Sequence, residues 1–500
     1  MNLSRILIRT SGLGATVLGL FAAIGCGNGS TNIIHTTGNY SNASLNGTYV
    51  YEVHGDSLGG FYREVGAFTA DGAGNITAGS DDSSFNSGGL PVNFTGSYTI
   101  GNDGTGFVTF NSSAVAQGGA ITLAITLVSS SKVDLMEADA LAFGGGTAEL
   151  QSSTAAPTGT FVFRLHQEAA APSPTLSASD VGVFTVSAGS VSAGMLDENL
   201  GGTSNQFAIT GGTFNAPGTL GRGTATITDN GPFSTTLVYY VANSGKLILL
   251  VSNNSAVGSG SAEAQTGAVS GGLSGNYAFG STGDDAFSGG FFAGSATVGS
   301  FTASGGAINP FTFDTMQDGS YSNGTDSGTY TATANGRVSV SLNSGSPEVF
   351  WMVSPARAFF LIDSGNEVED GTADLQTVNS FSNSTMNGQF AMVMGGINLN
   401  FVNFVGDFAR IGPMNFNGSG KLTLAELVND SSSGVGAQPP PGGGLTGSYQ
   451  VDSSTGRIVG TLSNSSGGLD LAMYAVSGSD AYVLQTDGGL VTSGTVSLQH

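Results

Sequence analysis

Apolar and polar residues alternate in many short segments of the chain. Residues 49–53 and 121–127 are clear examples. A period of two residues is typical of a β strand with one buried face, and the Gly-rich turns between such segments favour hairpins between sequence neighbours. After the first 26 residues, no segment shows convincing helical periodicity. The pattern therefore predicts an all-β protein.

One unit is repeated four times along the chain. Each copy opens with a glycine, any residue and an aromatic residue, and the opening glycines are spaced by 112, 116 and 113 residues. Each copy also closes on a strand that ends in glutamine. The opening and closing residues of the four copies are Gly47 and Gln151, Gly159 and Gln265, Gly275 and Gln376, and Gly388 and Gln499. Because the landmarks agree in all four copies, we expect a tandem array.

The predicted units have about 107 residues each and are joined by short linkers. The predicted unit boundaries are 45–151, 157–265, 273–376 and 386–499, and the linkers are 152–156, 266–272 and 377–385. A Pro- and Gly-rich loop at 431–444 occurs only in the fourth unit. Because proline cannot donate to a strand ladder, we expect this loop to be an exposed excursion. The linkers suggest beads on a semi-flexible string.

Each unit contains about eight short predicted strands in meander order. Eight such antiparallel strands can close into a small barrel, which removes exposed sheet edges. A two-sheet β-sandwich is the alternative. An eight-bladed propeller with two blades per unit is a third option, suggested by the similarity of the segments that begin at Gly47 and Gly96.

The first 26 residues have the features of a secretory leader. Arg5 and Arg9 precede an apolar stretch at 13–24, which is shorter than the roughly 20 residues that a membrane-spanning helix needs. Ala23-Ile24-Gly25-Cys26 resembles the lipobox of bacterial lipoproteins. That resemblance implies cleavage of residues 1–25, lipidation of Cys26, and a flexible tether over 26–44 that is rich in Gly, Asn, Ser and Thr.

The mature chain resembles the multi-repeat, Gly-rich surface lipoproteins of bacteria. The resemblance is carried by the lipobox, the Gly-Thr-Tyr opening at 47–49 and the Asp-Gly-Ala-Gly-Asn turn at 71–75. It implies β structure and a position on the outer membrane of a Gram-negative cell, facing either the periplasm or the outside. Gly27 after the cysteine fits outer-membrane sorting. The resemblance carries no catalytic residues.

The composition excludes several classes of protein. The net charge is −23, with 12 Lys and Arg against 35 Asp and Glu, and nucleic-acid binding needs basic patches that such a chain lacks. A single cysteine excludes a disulfide framework or a thiolate zinc cluster. An apolar content of 39% is too high for a disordered chain.

Ser57 lies in the pentad Gly55-Asp56-Ser57-Leu58-Gly59, which matches the nucleophile motif of some hydrolases. A nucleophile elbow needs a helix after the serine, and Gly59-Gly60 is a poor helix start. We therefore interpret the pentad as a turn and expect no catalytic residue.

Histidines and acidic residues are the other candidates for chemistry. His54 and His166 occupy the same position in two units, but the histidines are dispersed along the sequence and predict no metal cluster. Acidic residues recur after the first hairpin of each unit. The weak candidates for Ca²⁺ are Asp81, Asp82, Asp197, Glu198, Asp314 and Asp430. Because known calcium-loop spacings are missing and Asp favours turns, we expect turn chemistry and no cofactor.

These observations favour a non-enzymatic, surface-anchored lipoprotein that acts in envelope structure, adhesion or extracellular binding. Its expected partners are the membrane, through the lipid, and a glycan or an envelope or extracellular protein. The alternative is a carrier that holds a small apolar ligand inside its barrels. An esterase that uses Ser57 is the least favoured hypothesis.

Overall fold

The computed structural model describes most of the chain after residue 38. The described ranges are 39–57, 60–84, 91–111, 120–140, 142–169, 177–231, 234–252, 256–285, 294–363, 367–378, 380–399, 406–431 and 436–500. The predicted leader, Cys26 and the first part of the predicted tether lie outside the described residues. Within them the protein is all-β, apart from single 3₁₀ turns at Asn42–Ser44, Thr219–Gly221 and Asn383–Thr385.

The strands form four eight-stranded antiparallel barrels, in which each strand pairs with its sequence neighbour and the first strand pairs with the last. The first barrel contains β1 Asn46–Ser57, β2 Gly60–Asp71, β3 Asn75–Ser83, β4 Val92–Ile100, β5 Thr105–Asn111, β6 Ile121–Ser129, β7 Lys132–Glu137 and β8 Ala142–Leu150. The all-β prediction of four tandem barrels is confirmed, and the sandwich and propeller alternatives are wrong.

The second and third barrels repeat this order. The second contains β9 Gly159–Ala169, β10 Ser177–Ser187, β11 Ser190–Leu200, β12 Thr203–Phe214, β13 Arg222–Asp229, β14 Ser234–Asn243, β15 Lys246–Val251 and β16 Ala256–Ala264. The third contains β17 Gly275–Asp285, β18 Gly294–Ser304, β19 Ala307–Gln317, β20 Ser320–Ala332, β21 Arg337–Leu342, β22 Glu348–Ser354, β23 Arg357–Ile362 and β24 Glu367–Leu375.

The fourth barrel differs at its third strand, which is split into two segments. Both segments pair with β26, and β25 pairs with β26 and β33 to close the barrel. Its strands are β25 Asn387–Asn398, β26 Gly406–Asn417, β27 Lys421–Leu424, β28 Leu427–Asp430, β29 Leu445–Val451, β30 Arg457–Ser463, β31 Gly468–Ala475, β32 Asp480–Gln485 and β33 Leu490–Leu498.

The Gly-x-aromatic opening has a physical cause in each barrel. The four opening glycines have φ between +107° and +129°, a region that L side chains rarely adopt. Two residues later an aromatic side chain enters the barrel and contacts a ring from the second strand. The two rings stack in the first three barrels, as Tyr49 does on Phe68 at 5.6 Å between ring centroids, and meet edge to face in the fourth. Aromatic rings form much of the interior of the first three barrels.

The barrels pack against one another and are not beads on a string. The outer face of the first two strands of each barrel packs on the sixth and seventh strands of the next, so that Val50 and Val65 contact Tyr240 and Ile248. The second and third barrels meet in the same way, as do the third and fourth. The fourth barrel then packs on the first through Val393, Ile411 and Met136. The four barrels therefore form a closed ring.

The closing glutamine of each unit fastens that unit to the next. Its Nε2 donates two hydrogen bonds to main-chain oxygens of the following barrel, as Gln151 does to Leu220 at 3.0 Å and Val241 at 2.7 Å. Gln265 and Gln376 make the equivalent pairs of bonds. Gln499 donates to Asp103 at 3.2 Å and Leu127 at 2.6 Å, which joins the end of the fourth barrel to the first.

Candidate functional site

A cavity of about 140 Å³ lies where the four barrels meet. The same repeat position reaches it from every barrel, seven residues after the opening glycine: His54, His166, Thr282 and Gly395. The expectation that the histidines stay dispersed is wrong for this pair, because equivalent positions in a closed ring converge on its axis. The other lining residues are Gly55, Arg63, Glu168, Gly283, Asp284, Gly294, Ser295, Ala296, Gly396, Ile397, Asp407, Val491 and Ser493.

His166 on β9 is the centre of the charged network in this cavity. Its Nδ1 lies 2.9 Å from Oδ2 of Asp370. Its Nε2 lies 3.5 Å from Oδ2 of Asp284 and 3.6 Å from Oε1 of Glu168. Burial alone would lower the pKa of His166, but its hydrogen bonds with Asp284, Asp370 and Glu168 outweigh burial and raise the pKa well above the usual value.

The acidic residues around His166 have individual partners. Arg63 lies 2.9 Å from Oε1 of Glu168, whereas Oε2 of Glu168 is buried and accepts no hydrogen bond. Burial raises the pKa of Glu168 to about 7, with Arg63 opposing the rise. Ser177 donates to Oδ2 of Asp284 at 2.5 Å. Burial would raise the pKa of Asp284, but the bond to His166 outweighs it and the net shift is downward.

Three possible metal-ligand atoms lie within 4.8 Å of one another in this cavity, one each from His166, Glu168 and Asp284. In the part of the chain described, no other group of His, Cys, Asp and Glu side chains is arranged in this way. Two barrels supply them, since His166 and Glu168 belong to β9 and Asp284 to β17. The arrangement could hold a cation at the ring axis. In the sequence, the repeated histidine position was the only signal for it.

Three of the acidic candidates lie at the junctions between barrels. Asp82, Asp197 and Asp314 lie within strands β3, β11 and β19, so the expectation of turn chemistry is wrong for them. Each binds an arginine of the next barrel, with closest N–O distances of 2.5 to 2.7 Å. Each also accepts a hydrogen bond from an aromatic side chain of that barrel. The arginine and aromatic partners are Arg222 and Tyr240, Arg337 and Trp351, and Arg457 and Tyr474.

The other three acidic candidates, Asp81, Glu198 and Asp430, have different surroundings. Asp81 is buried inside the first barrel near Glu64, and burial together with this neighbour raises its pKa well above the usual value. Glu198 accepts a hydrogen bond from Asn205 at 3.2 Å. Asp430 ends β28. The structure distributes the six candidates over the ring and brings no three of them together.

Ser57 is the last residue of β1, and β2 begins at Gly60. The described part of the pentad, Gly55 to Ser57, therefore belongs to a strand, and Ser57 pairs with Gly60 of the next strand. A nucleophile elbow joins a strand to a helix, so this geometry gives the esterase hypothesis no support.

A second cavity, of about 710 Å³, lies at one end of the fourth barrel. Arg410 and Glu426 line it and lie 3.2 Å apart at their closest atoms. The Pro-rich loop borders the opening through Pro439, Pro440 and Pro441. The loop is thus part of a cavity wall, and the lining is partly polar.

Among the comparisons with known proteins, only the one with solved structures finds similarity. No protein-family profile and no curated protein sequence matches the chain. Solved structures align with low similarity. A transferrin binding protein B mutant from Haemophilus parasuis has 9% identity and a TM-score of 0.21, over 79% of this chain and 86% of that one. The isotype 1 protein of serogroup B Neisseria meningitidis has 9% identity and a TM-score of 0.21, over 79% and 84%.

A third solved structure, of an intact transferrin binding protein B with its N and C lobes, has 9% identity and a TM-score of 0.19, over 90% of this chain and 95% of that one. Scores this low carry no argument about function. Within the described ranges, no helix has the length and apolar character needed to cross a bilayer.

Proposed function

We propose that the protein is a non-enzymatic lipoprotein, anchored through Cys26 in the outer membrane of a Gram-negative cell, whose ring of barrels binds a glycan or a protein of the envelope or the extracellular space. The observation that carries the proposal is an exposed, polar strand surface with little charge. It is best developed on β20, a strand of 13 residues none of which is buried.

The surface of β20 suits hydrogen-bonded recognition. Its sequence contains Ser, Thr, Asn, Gly and Tyr with a single acidic residue, and Tyr321 is 38% exposed. Such side chains donate and accept hydrogen bonds without the desolvation cost of a charge. The ring holds this face rigidly, because ion pairs and apolar contacts fix each barrel against its neighbours. A rigid face loses less entropy on binding than a mobile one.

The test is binding of the labelled 27–500 fragment to Gram-negative cells, isolated envelope fractions and a glycan array. Thr329 and Thr331 are exposed on β20, so the double variant Thr329→Arg/Thr331→Arg should weaken binding at least about 10-fold. Ser465→Arg, at an exposed bend of the fourth barrel, is the matched control and should bind as the wild type does. The proposal fails if the wild-type fragment binds none of these targets.

The anchor has a separate test. The full chain should fractionate with membranes and incorporate labelled palmitate, and Cys26→Ser should remove both properties. A Cys26→Ser protein that still carries lipid would refute anchoring through this residue.

The carrier hypothesis is the second candidate, and the cavity of the fourth barrel favours it. The described interiors of the first three barrels hold aromatic clusters, so a ligand in every barrel is not supported. Arg410 and Glu426 also make the fourth cavity a better match for an amphipathic ligand than for a purely apolar one. Native mass spectrometry of the full chain would show a reproducible added mass, and Arg410→Leu should abolish it.

A further inference from the structure

We propose that His166, Glu168 and Asp284 form a binding site for one divalent transition-metal ion, with Zn²⁺ as the best match, on the axis of the ring. The site would join the second and third barrels in addition to their surface contacts, because the three ligands come from β9 and β17. It is independent of any partner that binds the outer strands.

The spacing of the three side chains fits one small ion. Donor atoms about 2.1 Å from a tetrahedral zinc ion lie roughly 3.3 to 3.5 Å apart. Nε2 of His166 lies 3.5 Å from Oδ2 of Asp284 and 3.6 Å from Oε1 of Glu168, so small side-chain movements bring all three to ligand distance. One imidazole and two carboxylates are ligands that suit Zn²⁺, whereas Ca²⁺ prefers oxygen ligands only.

An unsatisfied atom points to a missing partner at this position. Oε2 of Glu168 is buried and accepts no hydrogen bond, although the residue is only 3% exposed. A buried carboxylate oxygen without a partner is costly, and a cation bound by both oxygens of Glu168 would remove that cost. The cavity of about 140 Å³ also has room for the ion and a water molecule as fourth ligand, since a water occupies about 30 Å³.

The residues behind the ligands are arranged as outer-shell partners of a metal commonly are. Asp370 lies 2.9 Å from Nδ1 of His166, which directs the other ring nitrogen toward the proposed ion. Asp370 is itself held by Arg164 at 3.0 Å, and Ser177 donates to Asp284. The two ligand carboxylates balance the charge of a divalent ion. Arg63, which lies 2.9 Å from Glu168, also donates to the main-chain oxygens of Gly55 and Tyr62, so it stays held beside the site.

The test uses the full chain, stripped of metal with a chelator and titrated with ZnCl₂ in a calorimeter. We expect one ion per chain. His166→Ala and Asp284→Asn should each weaken binding by about 100-fold or more, because even the loss of an outer-shell partner costs 10–100-fold. His54→Ala removes an imidazole from the same cavity without touching the three ligands and should stay within about threefold of the wild type.

Cobalt gives an independent readout. Co²⁺ at a tetrahedral site with one nitrogen and oxygen ligands should show strong visible absorption bands that Asp284→Asn removes. Asp284→Asn keeps the size of the side chain, so it serves as the ligand variant if His166→Ala does not fold. The proposal is overturned if the wild type binds no zinc, if both ligand variants bind as tightly as the wild type, or if His54→Ala abolishes binding.

Discussion

The three junctions between consecutive barrels differ from the junction that closes the ring. At each consecutive junction, an aspartate of one barrel binds an arginine and an aromatic residue of the next, as Asp197 binds Arg337 at 2.7 Å and Trp351 at 2.8 Å. At the closing junction the equivalent strand positions hold Leu427, Thr105 and Thr126, as the strand registers show. Apolar contacts of Leu427 with the Ala124 and Met136 cluster take their place.

This difference indicates how one chain selects the order of its barrels. An aspartate buried against the wrong barrel would leave its charge unpaired, which costs several kcal/mol. The junction aspartate of the first three barrels would therefore be unpaired against Thr105 and Thr126 of the first barrel. An arginine placed against Leu427 of the fourth barrel would likewise have no acidic partner. Charge pairing therefore distinguishes the three consecutive junctions from the closing junction, where apolar packing closes the ring.

The largest expected effect is at a charged junction. Asp197→Ala should lower the free energy of unfolding by about 3–5 kcal/mol, because Arg337 and Trp351 lose their buried partner. Leu427→Ala is the matched change at the closing junction, and because Leu427 is only partly buried it should cost about 1 kcal/mol. Denaturant unfolding of both variants measures the difference. Equal losses would contradict the distinction between the two kinds of junction.

A double-mutant cycle tests whether the charged contact can be transferred to the closing junction. Leu427→Asp alone should destabilise the ring by about 2 kcal/mol or more, because it places an unpaired carboxylate in an apolar contact. Thr105→Arg added to it supplies the equivalent of Arg222, Arg337 and Arg457. We expect a favourable coupling of about 1–2 kcal/mol between the two substitutions. Zero coupling would mean that the closing junction holds the barrels in a different geometry.

Much of each barrel could be predicted from the sequence, and most of the ring could not. Each barrel needs a glycine at positive φ at its start and an inward aromatic side chain two residues later, as at Gly47 and Tyr49. This requirement is local, so the same short motif recurs in the sequence of every unit. The outward face of the same strand carries Val50, which packs on the next barrel. Alternation shows that such a side chain points outward, but not which surface covers it.

The axial site was hidden for a related reason. His166 and Asp284 are 118 positions apart in sequence, and only the packing of the second barrel on the third brings them together. The acidic residues are visible in the sequence, but their partners are not, because the arginine that pairs with Asp197 is 140 residues away. Contacts between repeats leave no short-range spacing pattern that could be recognised.

The closing junction should weaken as the pH rises. Asp134 on β7 is fully buried, neither of its carboxylate oxygens has a hydrogen-bond partner, and burial raises its pKa to about 7, with Lys132 opposing the rise. Between its unfolded pKa of about 4 and its folded pKa, the folded state binds the extra proton, so stability falls as pH increases through that window. From pH 5 to pH 8 we expect a loss of about 2 kcal/mol from this group.

Asp134→Asn is the control for this titration. Because asparagine does not ionise, Asp134→Asn should lose the contribution of this group to the pH dependence of the unfolding free energy. Asp197→Asn, at a consecutive junction, should retain that contribution. Chemical unfolding at pH 5 and pH 8 gives both slopes. An unchanged slope in Asp134→Asn would show that another buried acid, such as Glu348 with its pKa raised to about 8, dominates the pH response.

The smallest expected effect is the loss of a closing glutamine. It compares the junction of the second and third barrels, which a covalent linker joins, with the closing junction, where the fourth barrel has no linker to the first. Gln265→Ala and Gln499→Ala each remove two equivalent hydrogen bonds to main-chain oxygens, so each should cost about 1–2 kcal/mol of global stability. Their local effects should differ, because the chain itself keeps the second and third barrels adjacent, whereas the fourth barrel reaches the first only through noncovalent contacts. Hydrogen exchange of β6 and β7 should therefore accelerate in Gln499→Ala, while β22 and β23 change less in Gln265→Ala. Equal protection in both variants would mean that apolar packing alone holds the closing junction.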